Sequence, residues 1–266
     1  MLLRFFIVLV FASPAWAAER IVSINQCADE LLLNIVPLER LKSVTHFVKD
    51  PAVSFDADLA STLPGNSGRA EEVMGYAPDL VFAGDFSARS TLALLRSLNV
   101  RVVELAHPRS VGEVVDLIRQ VGRETGFEQS AEALVRRLDS PPSSSVGAVT
   151  AAVYQPNGFT TGRDSLVDDI LRVAGVRNVA SERGLSSYAR YPMELLLIDQ
   201  PDLLILDPQS QGGASLAHEL LRHPALAAVY STSARLEIPP QAWACGTHHV
   251  FAAVDMIRRA AQGRAP

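Results

Sequence analysis

Short apolar runs and longer amphipathic stretches alternate along most of the chain. The apolar runs are rich in β-branched residues and predict buried strands at 20–24, 80–83, 100–105, 148–154 and 203–206. Between them apolar residues recur at helical spacing, and the predicted helices lie at 31–36, 111–125, 127–139, 165–174 and 250–261. Gly126 and Gly175 each follow one of these helices and are predicted to end it. Strands that alternate with helices are typical of an α/β fold, in which mostly parallel sheets are covered by helices on both faces.

One break in composition divides this alternation. The stretch PPSSS at 141–145 ends a helical region, and strands and helices alternate again after it. We therefore expect an N-terminal lobe at 18–109, a helical connection at 110–145 and a C-terminal lobe at 146–266.

Two distant segments share one pattern. Residues 71–83 read EEVMGYAPDLVFA and residues 194–206 read ELLLIDQPDLLIL. Each has a glutamate, apolar residues at helical spacing, Pro-Asp-Leu and then a short apolar run. The pattern is either a supersecondary unit that occurs once in each lobe or a helix-Pro-Asp-strand junction that any α/β protein can contain twice. The pattern alone does not decide between these two interpretations.

The first 17 residues, MLLRFFIVLVFASPAWA, predict a cleaved secretory signal. Arg4 supplies the positive start, an apolar run follows, and Ala15-Trp16-Ala17 fits a cleavage site. The apolar run is shorter than the ~20 residues that a membrane span needs. We expect export to the periplasm.

Charge and cysteine content narrow the function classes. The formal net charge is -5 and no basic tract is present, which excludes nucleic acid as an expected partner. Cys27 and Cys245 are the two cysteines, and two thiols in an oxidising compartment can pair, although their spacing does not show it.

The chain lacks the sequence motifs of common enzyme classes. GNSGR at 65–69 and GRDS at 162–165 both fail the spacing of a serine-nucleophile turn, and no dinucleotide, P-loop or HExxH motif is present. The absence of these motifs favours a binding protein over an enzyme.

CGTHH at 245–249 is the one cluster of potential metal ligands. It supplies at most three ligands, whereas a structural zinc site uses four and a catalytic site three with an open position. A helix that begins near Thr247, with Thr247 as its cap and His248 and His249 in its first turn, is the simpler interpretation. We therefore favour a structural role and expect no metal site.

Aromatic residues are concentrated in the predicted loops that follow strands or precede helices. In open α/β sheets these loops form the ligand-binding crevice, so the set predicts a wide, aromatic-lined cleft. Its members are Tyr154, Phe159, Tyr188, Tyr191, His46, Phe47, Phe86 and Trp243.

Five stretches in order resemble the periplasmic substrate-binding proteins of ABC importers for vitamin B12, haem and ferric siderophores. The stretches are RIVSINQCADELLLNIVPLERLKSVTHF, AEEVMGYAPDLVFAG, FTTGRDSLVDDILRVAGVRNVA, PMELLLIDQPDLLIL and ACGTHHVFAAVDMIRRA. The resemblance implies two Rossmann-like lobes, a rigid interlobe helix and a cleft that holds one metal chelate as cargo rather than as a cofactor. It also implies docking of a monomer onto a membrane permease with its ATPase.

The resemblance assigns expected roles to particular residues. The ligand-binding set is His46, Asn66, Phe86, Tyr154, Tyr188, Tyr191 and Trp243. In the family a glutamate on each lobe meets the permease, and the matching positions are Glu71 and Glu194, with Glu72 as a fallback. If the lobes pack as in the family, Cys27 and Cys245 approach the cleft floor, and we expect a disulfide between them.

Two other functions remain open at this point. A receptor for free zinc or manganese has a similar architecture, but it needs several histidines and carboxylates in the cleft, and the histidines here are sparse. A secreted hydrolase on a two-lobed α/β scaffold is opposed by the missing nucleophile motifs.

Overall fold

The computed structural model describes residues 18–138, 149–206, 223–231 and 234–263. The predicted signal segment and the PPSSS stretch lie outside the described residues. Among the residues described, no helix has the length and apolarity that crossing a membrane requires.

The first half of the chain forms a five-stranded sheet in which every pair of strands is parallel. Its spatial order is β3-β2-β1-β4-β5. The strands are β1 (Ile21–Ser23), β2 (Leu41–Thr45), β3 (Gly65–Asn66), β4 (Leu80–Gly84) and β5 (Arg101–Leu105). The helices between them are α1 (Gln26–Ile35), α2 (Ala57–Ala60), α3 (Ala70–Met74) and α4 (Arg89–Ser97). This alternation confirms the predicted α/β class.

Two helices follow β5 where the sequence predicts a helical connection. They are α5 (Val111–Thr125) and α6 (Glu128–Arg137), and they pack against each other. The Ser110 side chain caps α5 at its start, and Gly126 ends it in the left-handed conformation that glycine adopts readily. The predicted end of this helix is confirmed, while the lobe boundaries stay predictions.

The second half contains a four-stranded parallel sheet of order β11-β10-β6-β8 and a separate antiparallel pair, β7 and β9. The strands are β6 (Thr150–Tyr154), β7 (Phe159–Thr161), β8 (Arg177–Asn178), β9 (Tyr188–Arg190), β10 (Leu203–Leu206) and β11 (Arg235–Glu237). The helices are α7 (Leu166–Ala174), α8 (Val179–Glu182), α9 (Met193–Asp199), α10 (Pro224–Val229) and α11 (Val250–Gln262). We call the β7–β9 pair the ribbon.

One continuous apolar core joins the two halves. Its buried side chains run from β1 and β4 through α1, α5 and α6 to β6, β10 and the apolar face of α11. Because both sheets contribute to the same core, separating them would expose apolar surface to water.

The repeated Pro-Asp-Leu segment contains the same structural device in each half. The Asp79 carboxylate accepts hydrogen bonds from the backbone N–H groups of Glu19 (2.9 Å) and Arg20 (3.2 Å), directly before β1. The Asp202 carboxylate likewise accepts from the backbone N–H (2.8 Å) and the hydroxyl (2.7 Å) of Thr150, the first residue of β6. Each aspartate therefore ties the start of its own strand to the start of the neighbouring parallel strand, once per sheet.

The segment before α11 is joined to α1 in the first half by a disulfide and a hydrogen bond. We call this place of attachment the junction. Cys27 in the first turn of α1 forms a disulfide with Cys245, as expected, with their Cα atoms 5.0 Å apart. The Thr247 hydroxyl donates to Glu30 Oε2 at 2.9 Å. The expectation that Thr247 caps the last helix is therefore wrong: α11 begins at Val250, and the hydroxyl is engaged by a buried glutamate instead.

A buried carboxyl next to the junction holds α1 against β2. Asp29 Oδ2 accepts from the backbone N–H of Thr45 at 3.0 Å and from the Thr45 hydroxyl. Burial raises the pKa of the Asp29 carboxyl to about 8. Asp29 is therefore protonated at neutral pH, which removes the cost of burying its charge.

Removing the disulfide should lower the free energy of unfolding. The two cysteines are 218 residues apart, and in the chain-entropy model a loop of this length contributes about 5 kcal/mol. We expect thiol titration of the denatured, unreduced protein to find no free thiol, and a reductant to lower Tm. The Cys27→Ser/Cys245→Ser variant should show the lowered Tm without a reductant and no response to one. An equal Tm for the oxidised wild type, the reduced wild type and the double serine variant would contradict the stabilising role of the disulfide.

The titration of Asp29 predicts a pH dependence of stability. Between about pH 4 and pH 8 the folded protein keeps a proton that the unfolded chain releases, so the free energy of unfolding falls as the pH rises. Asp29→Asn substitutes a neutral amide and should flatten this slope between pH 5 and pH 8, as measured by urea unfolding. Asp58→Asn changes an exposed carboxylate and is the matched control. A slope in Asp29→Asn equal to that of the control would refute the assignment.

Candidate functional site

Two cavities lie at the carboxyl ends of the parallel strands. The first, which we call the ribbon cavity, has a volume of about 390 Å³. It lies between the segment after β5, the ribbon and the loop before the junction, and its lining includes Pro108, Arg109, Gln155, Tyr188 and Trp243. The second, the first-sheet cavity, has a volume of about 290 Å³ and is lined by the ends of β1 to β4, including Phe47, Asn66 and Phe86.

Tyr188 and Trp243 are the residues of the predicted ligand-binding set that line the ribbon cavity together. Tyr188 is 61% exposed and stacks on Phe159, with ring centroids 4.5 Å apart and planes 5° apart. The guanidinium carbon of Arg190 lies 5.5 Å from the Phe159 ring centroid. This stack presents a flat aromatic face with one side open to a ligand.

Two phenylalanines supply the aromatic surface of the first-sheet cavity. Phe86 is 93% exposed and Phe47 is 68% exposed, which is unusual for side chains of this size. Phe86 stands in the loop after β4, as predicted, and Phe47, which was also predicted to lie in a loop, begins a short 3-10 helix after β2. Exposed aromatic rings at the edge of a cavity are typical of a binding surface.

Asn66 forms the floor of the first-sheet cavity and is not free to bind a ligand. Its amide nitrogen has two hydrogens to donate and lies 2.9 Å from Ser23 O, 2.8 Å from Ser43 Oγ and 3.1 Å from Val44 O, and its Oδ1 accepts from the backbone N–H of Gly68. The side chain is buried and holds three strand ends together. We therefore correct the prediction of a direct ligand contact.

His46 lies at the rim rather than in the cleft. It lines a more open cavity of about 560 Å³ with Ser67, Arg69, Glu71 and Glu72. Its imidazole covers Gly65, where an added Cβ would stand 2.4 Å from Nδ1. Ser67 lines both this cavity and the first-sheet cavity, which places His46 next to the predicted binding surface but not opposite Tyr188.

The predictions for Tyr154 and Tyr191 are wrong, because both side chains are fully buried. Tyr154 is the last residue inside β6 and not part of the loop after it, and burial raises the pKa of its hydroxyl to about 12. Tyr191 donates a hydrogen bond to Asp199, and burial raises the pKa of its hydroxyl. Both tyrosines belong to a core between the second sheet and α9.

Arg109 was missed by the sequence reasoning. It is exposed, lines the ribbon cavity, and its guanidinium makes no hydrogen bond within the described part of the chain. In the sequence Arg109 is a single basic residue shortly after the strand predicted at 100–105. Such residues are too common for that position alone to assign Arg109 to a binding site.

The two glutamates of the repeat occupy matching positions. Glu71 lies in the first turn of α3 and Glu194 in the first turn of α9, and both are exposed. Neither carboxylate has a hydrogen bond or ion pair among the described residues. Glu72 differs, because it accepts from the backbone N–H (2.9 Å) and the hydroxyl (2.7 Å) of Ser67. These bonds lower the pKa of Glu72, and they make it a poorer partner for another protein than Glu71.

A cluster of potential metal ligands stands beside the junction. His249 Nε2 lies 2.8 Å from Asp56 Oδ2, and the His248 and His249 rings are 3.9 Å apart. Burial raises the pKa of Asp56, but the hydrogen bond and charge of His249 outweigh it and leave that pKa below its usual value. Burial lowers the pKa of His248 to about 3. The sequence showed the two histidines but not Asp56, and it offered Cys245, which the disulfide removes from the set.

Comparison with known proteins places the fold. Residues 21–233 match the sequence profile of a family described as periplasmic binding protein. A cobalamin-binding protein of Halobacterium salinarum is 23% identical over 196 residues, which cover 70% of this chain and 53% of the relative. An ABC transporter substrate-binding lipoprotein of Bacillus subtilis, YvrC, is 22% identical over 51% of this chain and 47% of its own length. The chain thus spans about half the length of these curated relatives.

Two solved structures share the fold over nearly their whole length. The periplasmic haem-binding protein RhuT from Roseiflexus sp. RS-1 has a TM-score of 0.73 at 21% identity and covers 92% of this chain and 100% of its own. The periplasmic vitamin B12 binding protein BtuF of Vibrio cholerae has a TM-score of 0.65 at 17% identity, with coverage of 92% and 97%.

Proposed function

Because the chain belongs to the periplasmic binding protein family, we propose that it captures a metal chelate in the periplasm and delivers it to an ABC importer. The family is a class of solute-binding proteins and not an enzyme class. The chelate classes that we propose are ferric siderophores, haem and cobalamins, and the chelate is cargo and not a cofactor. The permease and its ATPase are the proposed partners.

The aromatic lining of the two cavities is the observation that carries this proposal. The ribbon cavity, at about 390 Å³, falls in the range of small-molecule sites, which is ~300–1,000 Å³, and the first-sheet cavity, at about 290 Å³, lies just below that range. Flat faces such as Tyr188 on Phe159 suit a macrocycle or an aryl group. The guanidinium of Arg109, which has no hydrogen-bond partner among the described residues, suits a carboxylate or another anionic group of the ligand.

The relatives support the same ligand class. The Halobacterium relative is named for cobalamin and the Roseiflexus structure for haem, while YvrC is named as part of an ABC transporter. Native mass spectrometry of the protein purified from its host tests the proposal. A retained corrinoid, haem or siderophore supports it. Turnover of an ester by a protein that retains no chelate would instead support a hydrolase.

Ligand binding should be visible through Trp243, the one tryptophan outside the predicted signal. We expect the fluorescence of Trp243 to be quenched by at least one of three ligands titrated in turn: haem, cyanocobalamin and a ferric hydroxamate. Tyr188→Ala should weaken that binding by about 1–3 kcal/mol, because it removes an exposed aromatic contact.

Tyr191→Phe is the control for this experiment. It removes only a buried hydroxyl outside the cleft, so affinity should stay at the wild-type value while stability falls by about 1 kcal/mol. Equal affinities in Tyr188→Ala and the control would remove Tyr188 from the site.

Charge reversal at the repeated glutamates should separate capture from delivery. In the proposed complex Glu71 and Glu194 meet basic groups of the permease, and like charges facing each other cost several kcal/mol. Glu71→Arg and Glu194→Arg should keep wild-type affinity for the chelate but lose uptake in cells and stimulation of the transporter ATPase. The double variant should be worse than either single variant.

Glu128→Arg is the matched control for charge reversal, since Glu128 is also exposed in the first turn of a helix. If Glu71 and Glu194 only stabilised their helices through the helix dipole, charge reversal at Glu71, Glu194 or Glu128 would lower the free energy of unfolding by at most about 1 kcal/mol. Transport would then stay intact in all three variants. Normal uptake by the double variant would reject the docking role.

A further inference from the structure

We propose that Asp56, His248 and His249 bind one divalent transition-metal ion, with zinc as the best match. We call these three residues the histidine–aspartate cluster. They line neither the ribbon cavity nor the first-sheet cavity. The ion would therefore be a resident part of the protein, separate from its cargo, and the inference does not depend on the proposed function.

The geometry of the cluster is close to that of a metal site. One ligand atom from each residue can be chosen so that all three lie within 4.8 Å of one another. Around a tetrahedral zinc ion, with bonds of about 2.0–2.1 Å, ligand atoms stand roughly 3.4 Å apart. Side-chain movements of about 1 Å would close the difference, and His249 Nε2 and Asp56 Oδ2 are already 2.8 Å apart.

An unsatisfied buried nitrogen points to a missing partner. His248 Nδ1 is inaccessible to solvent and has no hydrogen-bond partner among the described residues. Buried polar atoms in proteins almost always have one. The His248 ring also lies 3.9 Å from the His249 ring. This ring contact provides no hydrogen-bond partner for His248 Nδ1, whereas a metal ion shared by the two rings would account for their close approach.

The surroundings provide charge and orientation for a cation. Asn34 Nδ2 donates to Asp56 Oδ1 at 3.1 Å, which leaves Oδ2 directed at His249. Glu30 interacts electrostatically with His249 and Asp56, and its Oε1 is buried without a partner within the described residues. Such outer contacts orient the ligands of metal sites and offset the charge of the ion.

The donor set selects the kind of metal. Two imidazoles and one carboxylate suit zinc and its neighbours in the first transition row, whereas magnesium and calcium prefer oxygen ligands. Cys245 is excluded as a fourth ligand because it is in the disulfide. The fourth position is therefore left for a water molecule.

The experiment is a titration of the purified chain, treated with a chelator and transferred to metal-free buffer. Isothermal titration with zinc chloride should give one ion per chain, and zinc should raise Tm. His248→Ala and Asp56→Asn should each weaken binding at least tenfold. His223→Ala is the matched control, because His223 is exposed and its Nδ1 only accepts from the backbone N–H of Ala225 at 3.2 Å.

A second measurement keeps the inference testable if a variant fails to fold. Cobalt(II) added to the wild-type chain should give the intense visible bands of a tetrahedral site, and zinc should displace them. Weak bands typical of six-coordinate cobalt would overturn the inference. Absence of one-to-one zinc binding, or equal affinities in His248→Ala and His223→Ala, would overturn it as well.

Discussion

Parallel strand pairing is the constraint from which the site follows. All seven strand pairs that the described residues form in the two main sheets are parallel. Every strand of a sheet therefore ends at the same edge, and the loops that follow the strands are collected there. Phe47, Phe86, Arg109, Gln155 and Trp243 reach the cavities in this way, although they are far apart in sequence. Asp79 and Asp202 secure the opposite ends of the central strand pairs.

The sequence predicted the features that depend on near neighbours in the chain. The strands at 80–83 and 203–206 and the helix ends at Gly126 and Gly175 depend on local apolar patterns and on the freedom of glycine, and the structure contains them. Trp243 lies in the segment after β11, as predicted, whereas Tyr188, which was also predicted to lie in a loop, is the first residue of β9.

The errors and omissions concern contacts between distant parts of the chain. Tyr191 looked like a loop aromatic, but a core to which β6, β10 and α10 contribute buries it. Thr247 looked like a helix cap, but its hydroxyl is paired with Glu30, 217 residues earlier. Asp56 carried no signal at all, because its partner His249 is 193 residues away. Periodicity and spacing report which face of an element is apolar, not which element will cover it.

The shared core and the junction limit how the two halves can move. Buried side chains continue from the first sheet through α1, α5 and α6 to the second sheet, and the disulfide and the Glu30–Thr247 hydrogen bond fix the start of α11 to α1. A large hinge opening would break these contacts. Under the proposed function, we therefore expect the cleft to adapt to a ligand mainly through the exposed rings of Phe47, Phe86 and Tyr188 and the segments that carry them.

The disulfide also orders events during biosynthesis. At a synthesis rate of about 5–20 residues per second, Cys245 follows Cys27 by roughly 10 to 40 s, since 218 positions separate them. Throughout that interval Cys27 has no partner thiol within its own chain, because Cys245 is the one other cysteine. Cys27 is then open to oxidising enzymes and to any other thiol it meets, and only the arrival of the penultimate segment closes this window.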